Sequence, residues 1–242
     1  MRQRSLNENP QAWEQIVDNS LKIAYHNIHS LQNKVADIEA DTMLALSDIL
    51  IFCETWLSEN TASTNLEMFN VCSNNVGRGK GLVIYYREDK GTARNICTDE
   101  NLQISVVSNQ AVEIIGFYGS AEDKNFISAV ESLIQPSKSY LLIGDLNICS
   151  KSNSDHTVFK ALSRLGFKLI TEQSTHILGG YLGQAWIKIV NEDSVKFHHS
   201  LYSPIYNCMD HDAILISINN NVPDEIIGKY PITIFHIVLL LF

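Results

Sequence analysis

The sequence predicts one α/β domain, on two observations. In the first half of the chain, short apolar runs typical of buried strands alternate with segments of helical apolar spacing, and strand-like runs become more frequent toward the end. The chain has 242 residues, of which 45% are hydrophobic and 19% charged. This is an ordinary globular composition with room for one large α/β domain and little room for a second.

The first elements are predicted to form a strand–helix–strand crossover. Residues 21–28 alternate as a strand does, and residues 48–53 form the next apolar run. Apolar residues at helical spacing predict a returning helix between them: Leu31, Val35 and Ile38, with Leu46 further on. Asn27 and Glu54 stand at the ends of the two strands, and residues just past strand ends line the functional crevice of open α/β sheets.

The later elements follow the same two patterns. Further strands are predicted in four apolar runs: 82–86, 102–107, 112–118 and 139–143. One helix face is predicted by four residues: Phe126, Val130, Leu133 and Ile134. A second helix is predicted through Phe159, Leu162 and Leu165. Its expected caps are Ser154 and Asp155, and Gly166 is expected to end it.

A stretch of four residues, Gly144, Asp145, Leu146 and Asn147, follows the run 139–143. Successive side chains on extended backbone alternate faces, so Asp145 and Asn147 are expected to point the same way and Leu146 into the core. A plain turn is the alternative, because Gly, Asp and Asn are common turn formers. Other apolar runs also end in polar groups suited to a phosphoester site: His26-Asn27, Glu54, Tyr118 and Asp210-His211.

The turn Gly77-Arg78-Gly79-Lys80-Gly81 precedes the strand at 82–86. It lacks the spacing and the Ser or Thr of a nucleotide-binding P-loop, and it leads into a strand where a P-loop leads into a helix. A hairpin turn is the favoured interpretation and a phosphate cradle the alternative. Arg78 and Lys80 are candidate contacts to a nucleic-acid backbone.

Charge and cysteine content restrict the function classes. A formal net charge of -9 is unlike that of proteins that coat DNA nonspecifically, so any nucleic-acid contact is expected to be local. Five cysteines without a Cys-x-x-Cys pair favour free thiols in a reducing compartment over disulfides or a zinc site. An intracellular protein, nuclear or cytoplasmic, is predicted.

Both ends of the chain differ from the middle. Residues 1–20 are polar, with Trp13, Ile16 and Val17 at helical spacing, and are predicted to be a helical leader. Residues 21–219 are predicted to form the domain. Residues 220–242 form a C-terminal tail whose apolar run, residues 232–242, is too short for a membrane-spanning helix. The tail is interpreted as a final strand, an interfacial anchor or a read-through end, the last two being favoured over a membrane span.

The polar motifs occur in an order that resembles the endonuclease/exonuclease/phosphatase superfamily. They are Asn27 in Tyr-His-Asn-Ile-His-Ser-Leu, Glu54 in Glu-Thr-Trp-Leu, Tyr118, Gly144-Asp145-Leu146-Asn147, Ser174-Thr175-His176 before Gly179-Gly180, and Asp210-His211. The amino-acid sequence of residues 27–57 most resembles the endonuclease domains of non-long-terminal-repeat retrotransposons and Helitron-type transposons. The resemblance covers residues 21–218. It implies a four-layer sandwich of two face-to-face β-sheets flanked by helices.

The resemblance also implies a metal-dependent phosphodiesterase, most of all a DNA endonuclease that nicks DNA. Glu54, Asn27 and Asp210 would hold Mg²⁺ or Mn²⁺, because hard oxygen ligands favour these ions. Asp145 would orient or deprotonate the attacking water, and Asn147 would hydrogen-bond the phosphate or that water. His211 would contact the scissile phosphate, and Tyr118 would donate to a phosphoryl oxygen. Asn27, Asn147, His176 and Arg78 would contact the substrate. The implied partners are DNA and other parts of a transposon polyprotein.

Two departures from the family's pattern leave alternatives open. The family usually has an aspartate that orients the catalytic histidine, and Gly183 stands there instead. His29 stands where these transposon domains usually have arginine. Three functions therefore compete: an attenuated endonuclease, a phosphatase for a small phosphoester, and an inactive remnant that binds nucleic acid or protein.

Overall fold

The computed structural model describes residues 20–58, 64–176, 178–190, 195–204 and 210–220. The predicted leader, apart from Ser20, and the tail beyond residue 220 lie outside these residues, as does Cys208. The four other cysteines are free thiols, as the sequence predicted: Cys53, Cys72, Cys97 and Cys149. No helix in the described ranges is long and apolar enough to cross a membrane.

The described residues contain twelve strands, which form two sheets of six strands each. In chain order the strands are β1 (Leu21–Asn27), β2 (Ile49–Cys53), β3 (Asn70–Asn74), β4 (Leu82–Tyr86), β5 (Thr92–Thr98), β6 (Leu102–Ser108), β7 (Glu113–Gly119), β8 (Tyr140–Asp145), β9 (Lys168–Leu169), β10 (Gly183–Lys188), β11 (Val195–Tyr202) and β12 (Ala213–Asn220). The first sheet has the order β11-β12-β1-β2-β4-β3 and the second β5-β6-β7-β8-β10-β9.

Helices cover the outer face of each sheet. They are α1 (Val35–Ala40), α2 (Thr42–Ala45), α3 (Asn125–Leu133) and α4 (Thr157–Arg164), with a short 3-10 helix at Glu88–Lys90. Buried residues of α1 and α2 pack on the first sheet, and those of α3 and α4 pack on the second. A third cluster joins the inner faces of both sheets, for example through Ile51, Ile84, Ile114 and Ile143. The four-layer sandwich predicted from the sequence is therefore confirmed.

Parallel pairing at the centre of each sheet positions the candidate site. β1 runs parallel to β2, and β7 runs parallel to β8, with helices in both connections. The last residues of neighbouring strands are therefore side by side: Asn27 pairs with Cys53, and Tyr118 pairs with Asp145. Gly144 allows this close pairing, since a Cβ there would lie 2.6 Å from Cγ of Phe117.

Two details of the helices differ from the prediction. The expected single helix between β1 and β2 is two short helices, because the Asp41 carboxylate accepts from Met43 N and Leu44 N and starts a new helix there. Leu46 then falls at the C-cap, where it is 54% exposed. The cap of α4 is neither Ser154 nor Asp155.

His156 takes that role in α4. Its side chain accepts a hydrogen bond from Val158 N, so the helix begins at Thr157. Gly166 ends the helix region with a φ of 87°, as predicted. The Gly77–Gly81 segment connects the antiparallel strands β3 and β4, which confirms the hairpin.

Candidate active site

Polar side chains from both sheets meet at one end of the sandwich. The Asn27 amide nitrogen donates to Glu54 Oε1 at 2.8 Å and lies 3.5 Å from Asp145 Oδ2. Asn27 and Glu54 belong to the first sheet and its loop, whereas Asp145 ends a strand of the second. One carboxamide therefore bridges two carboxylates across the sheets.

Tyr118 joins the same cluster from β7. Its hydroxyl lies 3.2 Å from Glu54 Oε1 and 3.1 Å from the carbonyl oxygen of Gly79, and its single proton can be donated to either. Burial and the negative charge of Glu54 raise the pKa of Tyr118 above its ordinary value. The phenol consequently stays protonated and keeps its proton for donation.

Asp145 is fully buried beneath this cluster. Burial raises the pKa of its carboxyl group to about 6, against the hydrogen bonds from Asn147 and Asn27, and the nearby charge of Glu54 raises it further. Asn147 N donates to Asp145 Oδ1 at 2.6 Å, and the Asn147 side chain donates to the carbonyl oxygen of Gly119 at 3.0 Å. Asp145 is therefore a carboxylate of raised basicity held in one orientation.

Backbone strain is concentrated at this site. Glu54 has a φ of 52° and Asn147 a φ of 55°, a left-handed conformation that is unfavourable for side chains other than glycine. The turn alternative is thus correct for Asn147: the strand ends at Asp145 and the chain turns. Leu146 is buried, as predicted.

The histidines lie on an adjoining segment. His211 forms an isolated β-bridge with His176, and their ring centroids are 4.8 Å apart. Burial lowers the pKa of His211, and His176 lowers it further, whereas Asp210 and Glu54 raise it. The two histidine rings are thus in edge-to-face contact.

His26 holds the segment that contains His211. Burial lowers its pKa to about 4, so the ring is neutral near pH 7. Its Nε2 donates to the carbonyl oxygen of His211 at 3.0 Å, because a carbonyl can only accept.

Asp210 and Arg78 are less closely connected to the site. Within the described residues, Asp210 makes no hydrogen bond to Glu54 or Asn27, and it precedes β12, which begins at Ala213. Arg78 immediately precedes Gly79, whose carbonyl lies against Tyr118. Hydrogen bonds thus join five of the predicted residues, namely Asn27, Glu54, Tyr118, Asp145 and Asn147. They do not join the others to this set among the described residues.

The joined residues suit a hard divalent cation. Across the described ranges, no three His, Cys, Asp or Glu side chains are grouped closely enough to form a complete metal site. Two carboxylates nevertheless flank one carboxamide, and Asn27 Oδ1 is buried without a hydrogen-bond partner among the described residues. Mg²⁺ is commonly held by one or two carboxylates together with water and substrate phosphate. This donor set therefore fits such an ion.

Gly183 lies beside the buried aspartate. It pairs with Asp145 across β10 and β8, and its N–H donates to Thr175 Oγ1 at 2.9 Å. The carbonyl of Thr175 in turn accepts from Asp212 N, next to His211. Gly183 is not in a left-handed conformation, but a Cβ there would lie 3.3 Å from both Thr175 Oγ1 and Tyr25 Cε1. A side chain is thus restricted by space, not by backbone strain.

Sequence reasoning did not assign several residues that shape the site. Tyr25 fills the space beside Gly183, and its hydroxyl oxygen lies 2.9 Å from Cys53 Sγ. His26 and Thr175 position the histidine segment, and the Gly79 carbonyl accepts from Tyr118. Their positions depend on contacts between the sheets, which sequence order does not show. Their one local indication was a place next to an assigned candidate: Tyr25 and His26 precede Asn27, Thr175 precedes His176, and Gly79 follows Arg78.

Similar architectures occur among solved nuclease structures. The endonuclease domain of TRAS1, a telomere-specific non-LTR retrotransposon, matches with a TM-score of 0.62 and 12% identity over 83% of this chain and 99% of that one. An AP endonuclease from Archaeoglobus fulgidus matches with a TM-score of 0.64 and 12% identity, over 84% and 100% of the two chains. The chain has the endonuclease/exonuclease/phosphatase fold. The resemblance found in the sequence is thereby confirmed for the fold.

A third match shares this fold. The 3′ phosphatase NExo from Neisseria, bound to a product DNA hairpin, has a TM-score of 0.64 and 13% identity over 82% of this chain and 99% of its own. No protein-family model matches the sequence, and no curated protein does. The endonuclease/exonuclease/phosphatase fold is thus established by structure at low sequence identity.

Proposed function

We propose that the protein is a divalent-metal-dependent phosphodiesterase, specifically a transposon-type endonuclease that nicks DNA. One observation supports this most: the hydrogen-bonded cluster of Asn27, Glu54, Tyr118 and Asp145 at the end of both sheets. Such a cluster supplies metal ligands, a base and a hydrogen-bond donor within one small volume, as phosphodiester hydrolysis requires.

Glu54 and Asn27 would hold Mg²⁺ or Mn²⁺, with Asp210 as the third proposed ligand. The unpartnered Asn27 Oδ1 and the carboxylate of Glu54 are the donors that the structure offers. When bound, the cation would offset negative charge on the phosphoryl oxygens.

The other residues act on water and phosphate. Asp145, held by Asn147 N and made more basic by burial, would orient the attacking water and accept its proton. Tyr118 would donate to a phosphoryl oxygen, and His211 would contact the scissile phosphate. Asn147, His176 and Arg78 would complete the contacts to substrate.

DNA is the proposed substrate. Two of the structural matches are nucleases by their names, and a third was solved with a DNA hairpin. The net charge of -9 limits the contact to a few local cations such as Arg78. Partners from a transposon polyprotein and a nuclear or cytoplasmic location remain part of this proposal.

Nicking of supercoiled plasmid tests the proposal. Wild-type protein is expected to convert supercoiled to open-circular DNA in Mg²⁺ and to stop when the metal is chelated. Asp145→Ala serves as the inactive control. Equal nicking by both proteins would show that a contaminating nuclease cuts the plasmid, and it would refute the assignment.

Tyr118→Phe should lower the nicking rate by roughly 10–100-fold, because one donor to the phosphoryl group is lost while the buried ring remains. The melting temperature should change little. The rate is measured under single-turnover conditions, with the nicked product quantified on a gel. Tyr181→Phe, which removes a hydroxyl outside the cluster, is the matched control and should keep the wild-type rate.

A second candidate function is favoured by Gly183. Without a carboxylate at position 183 to orient His211, the site would be an attenuated nuclease, or a remnant that binds without cleaving. A small-substrate phosphatase on the same fold is a further alternative, since one structural match is a 3′ phosphatase. Release of phosphate from a 3′-phosphorylated oligonucleotide without any nicking would favour that alternative.

Gly183→Asp should raise nicking by roughly tenfold, because it would return a carboxylate partner to His211. The new side chain has to displace Tyr25 or Thr175, whose atoms lie 3.3 Å from the added Cβ, so stability should fall by about 1–3 kcal/mol. Plasmid nicking and thermal unfolding measure the two effects. Gly183→Asn gives the same crowding without the charge.

The gain should disappear in Gly183→Asp combined with His211→Ala. A gain that survives this double substitution, or that Gly183→Asn shares, contradicts the orienting role. No nicking by any folded variant that binds Mg²⁺ would favour the noncatalytic remnant.

A further inference from the structure

Trp56 packs against two other side chains, His29 and Arg78, at the rim of the candidate active site. The ring centroids of His29 and Trp56 are 4.5 Å apart at an interplanar angle of 49°. The guanidinium carbon of Arg78 lies 5.5 Å from the centre of the Trp56 ring. We refer to these three residues as the rim stack. None of the roles assigned above involves His29 or Trp56.

The rim stack is directly connected to the metal and phosphate residues. His29 follows Asn27 by two residues, and Trp56 follows Glu54 by two residues. Arg78 precedes Gly79, whose carbonyl lies 3.1 Å from the Tyr118 hydroxyl. Three separate loops therefore bring aromatic and cationic groups beside the place where a scissile phosphate would lie.

The rim stack is accessible and its cation is not engaged by an acid. His29 and Arg78 are exposed and Trp56 is half-buried. Arg78 forms no ion pair with any described residue, whereas Lys80 is paired with Glu100 at 2.8 Å. Lys34 is also engaged, because its amine donates to the carbonyl oxygens of Ile28, His29 and Ser30. Among the described residues of these loops, Arg78 is thus the cation without an acidic or carbonyl partner.

The loops hold the rim stack in a strained conformation. His29, Ser30 and Trp56 have φ values of 47°, 80° and 59°, all in the left-handed region. Strain of this kind persists only where surrounding contacts enforce it, as the Lys34 amine does here. An arrangement fixed before binding loses little conformational entropy when a ligand stacks on it.

The chemistry of the rim stack suits an unpaired nucleobase. A chain of net charge -9 gains little from counterion release, so it cannot rely on many phosphate contacts for affinity. Stacking on aromatic rings and on arginine supplies affinity without added charge, but a base must leave the duplex to use it. Fully paired DNA offers only its backbone and base edges at such a surface.

We propose that His29, Trp56 and Arg78 form a nucleotide subsite that stacks on an unpaired base beside the scissile phosphodiester. This subsite rests on the proposed DNA endonuclease function and makes it more specific. DNA with an unpaired nucleotide at the cleavage position is the preferred substrate over a fully paired duplex.

Binding of two labelled DNA hairpins tests the subsite. One hairpin is fully paired and the other has a single unpaired nucleotide, and fluorescence anisotropy is recorded in Ca²⁺, with intact DNA verified on a gel. Wild-type protein is expected to bind the second hairpin about tenfold more tightly, as one stacked base would give. Trp56→Leu should reduce the preference to about twofold or less, while Trp56→Phe should retain most of it.

Two further variants keep the test decisive. Phe69→Leu removes the other aromatic–cation pair of this sheet, in which Arg87 lies 4.8 Å from the Phe69 ring, and should leave the preference unchanged. Should Trp56→Leu fail to fold, His29→Ala combined with Arg78→Gln decides, because both side chains are exposed. Equal binding of the two hairpins by wild type, or a preference that survives loss of the rim stack, overturns the subsite.

Failure of the subsite is distinguishable from failure of the proposed function. The same hairpins are incubated with Mg²⁺ and scored for cleavage. Cleavage without any preference in binding overturns the subsite alone. A preference that depends on Trp56, without cleavage in any metal, supports the subsite and refutes the nuclease.

Discussion

Asp145→Asn is expected to reduce nicking by about 10²–10⁴-fold, because the amide cannot accept the proton of the attacking water. The same substitution should raise the free energy of unfolding of the metal-free protein near pH 8. Burial raises the pKa of Asp145 from an ordinary value of 3.8 to about 6, so ionising it in the folded protein costs up to about 3 kcal/mol. The amide oxygen can still accept the hydrogen bond from Asn147 N.

The pH dependence gives the sign of this effect. The folded protein holds the Asp145 proton more tightly than the unfolded chain does, so the contribution of Asp145 to stability is greatest below about pH 4 and falls as pH rises toward about 6. Asp145→Asn should remove that fall. Chemical denaturation in chelator between about pH 4 and pH 8 measures it.

An exposed aspartate provides the matched control for Asp145→Asn. Asp155, whose side chain is 94% exposed, forms an ion pair with Lys160. The variant Asp155→Asn should keep wild-type nicking and stability. An Asp145→Asn variant that still nicks DNA, or whose free energy of unfolding is lowered near pH 8, would show that Asp145 has a structural role.

The layers of the fold were predictable because they depend on local patterns. Apolar runs bounded by polar residues fixed most of the central strands, for example β2, β4 and β8, within one residue or two. The break between α1 and α2 was not predicted, because it depends on the side chain of Asp41 capping a new helix. Hydrophobic spacing alone continues through such a break, which is why Leu46 was wrongly expected to belong to one helix.

The grouping of the candidate site residues was predictable, whereas much of their conformation was not. Asn27, Glu54 and Asp145 follow apolar runs, and parallel pairing brings such strand ends together. The left-handed φ of Glu54 has no sequence indication, whereas Asn147 belongs to a residue type that tolerates this conformation and was open to the turn interpretation. The bridge from Asn27 to both carboxylates also depends on how the sheets face each other, which apolar periodicity does not encode.

Glu54→Gln is expected to reduce Mg²⁺-dependent nicking on the order of 10³-fold, since a bound metal supplies several kcal/mol and its charged ligand is removed. Stability should change by less than about 1 kcal/mol, because glutamine has the same shape and the same strained backbone, and its oxygen can accept from Asn27 and Tyr118. Calorimetric Mg²⁺ titration and thermal unfolding measure both effects. Glu122→Gln, at a side chain 90% exposed, controls for general loss of charge. A Glu54→Gln protein that melts at a much lower temperature and still binds Mg²⁺ normally would make Glu54 a structural residue, and the metal would then have to be held by other oxygens.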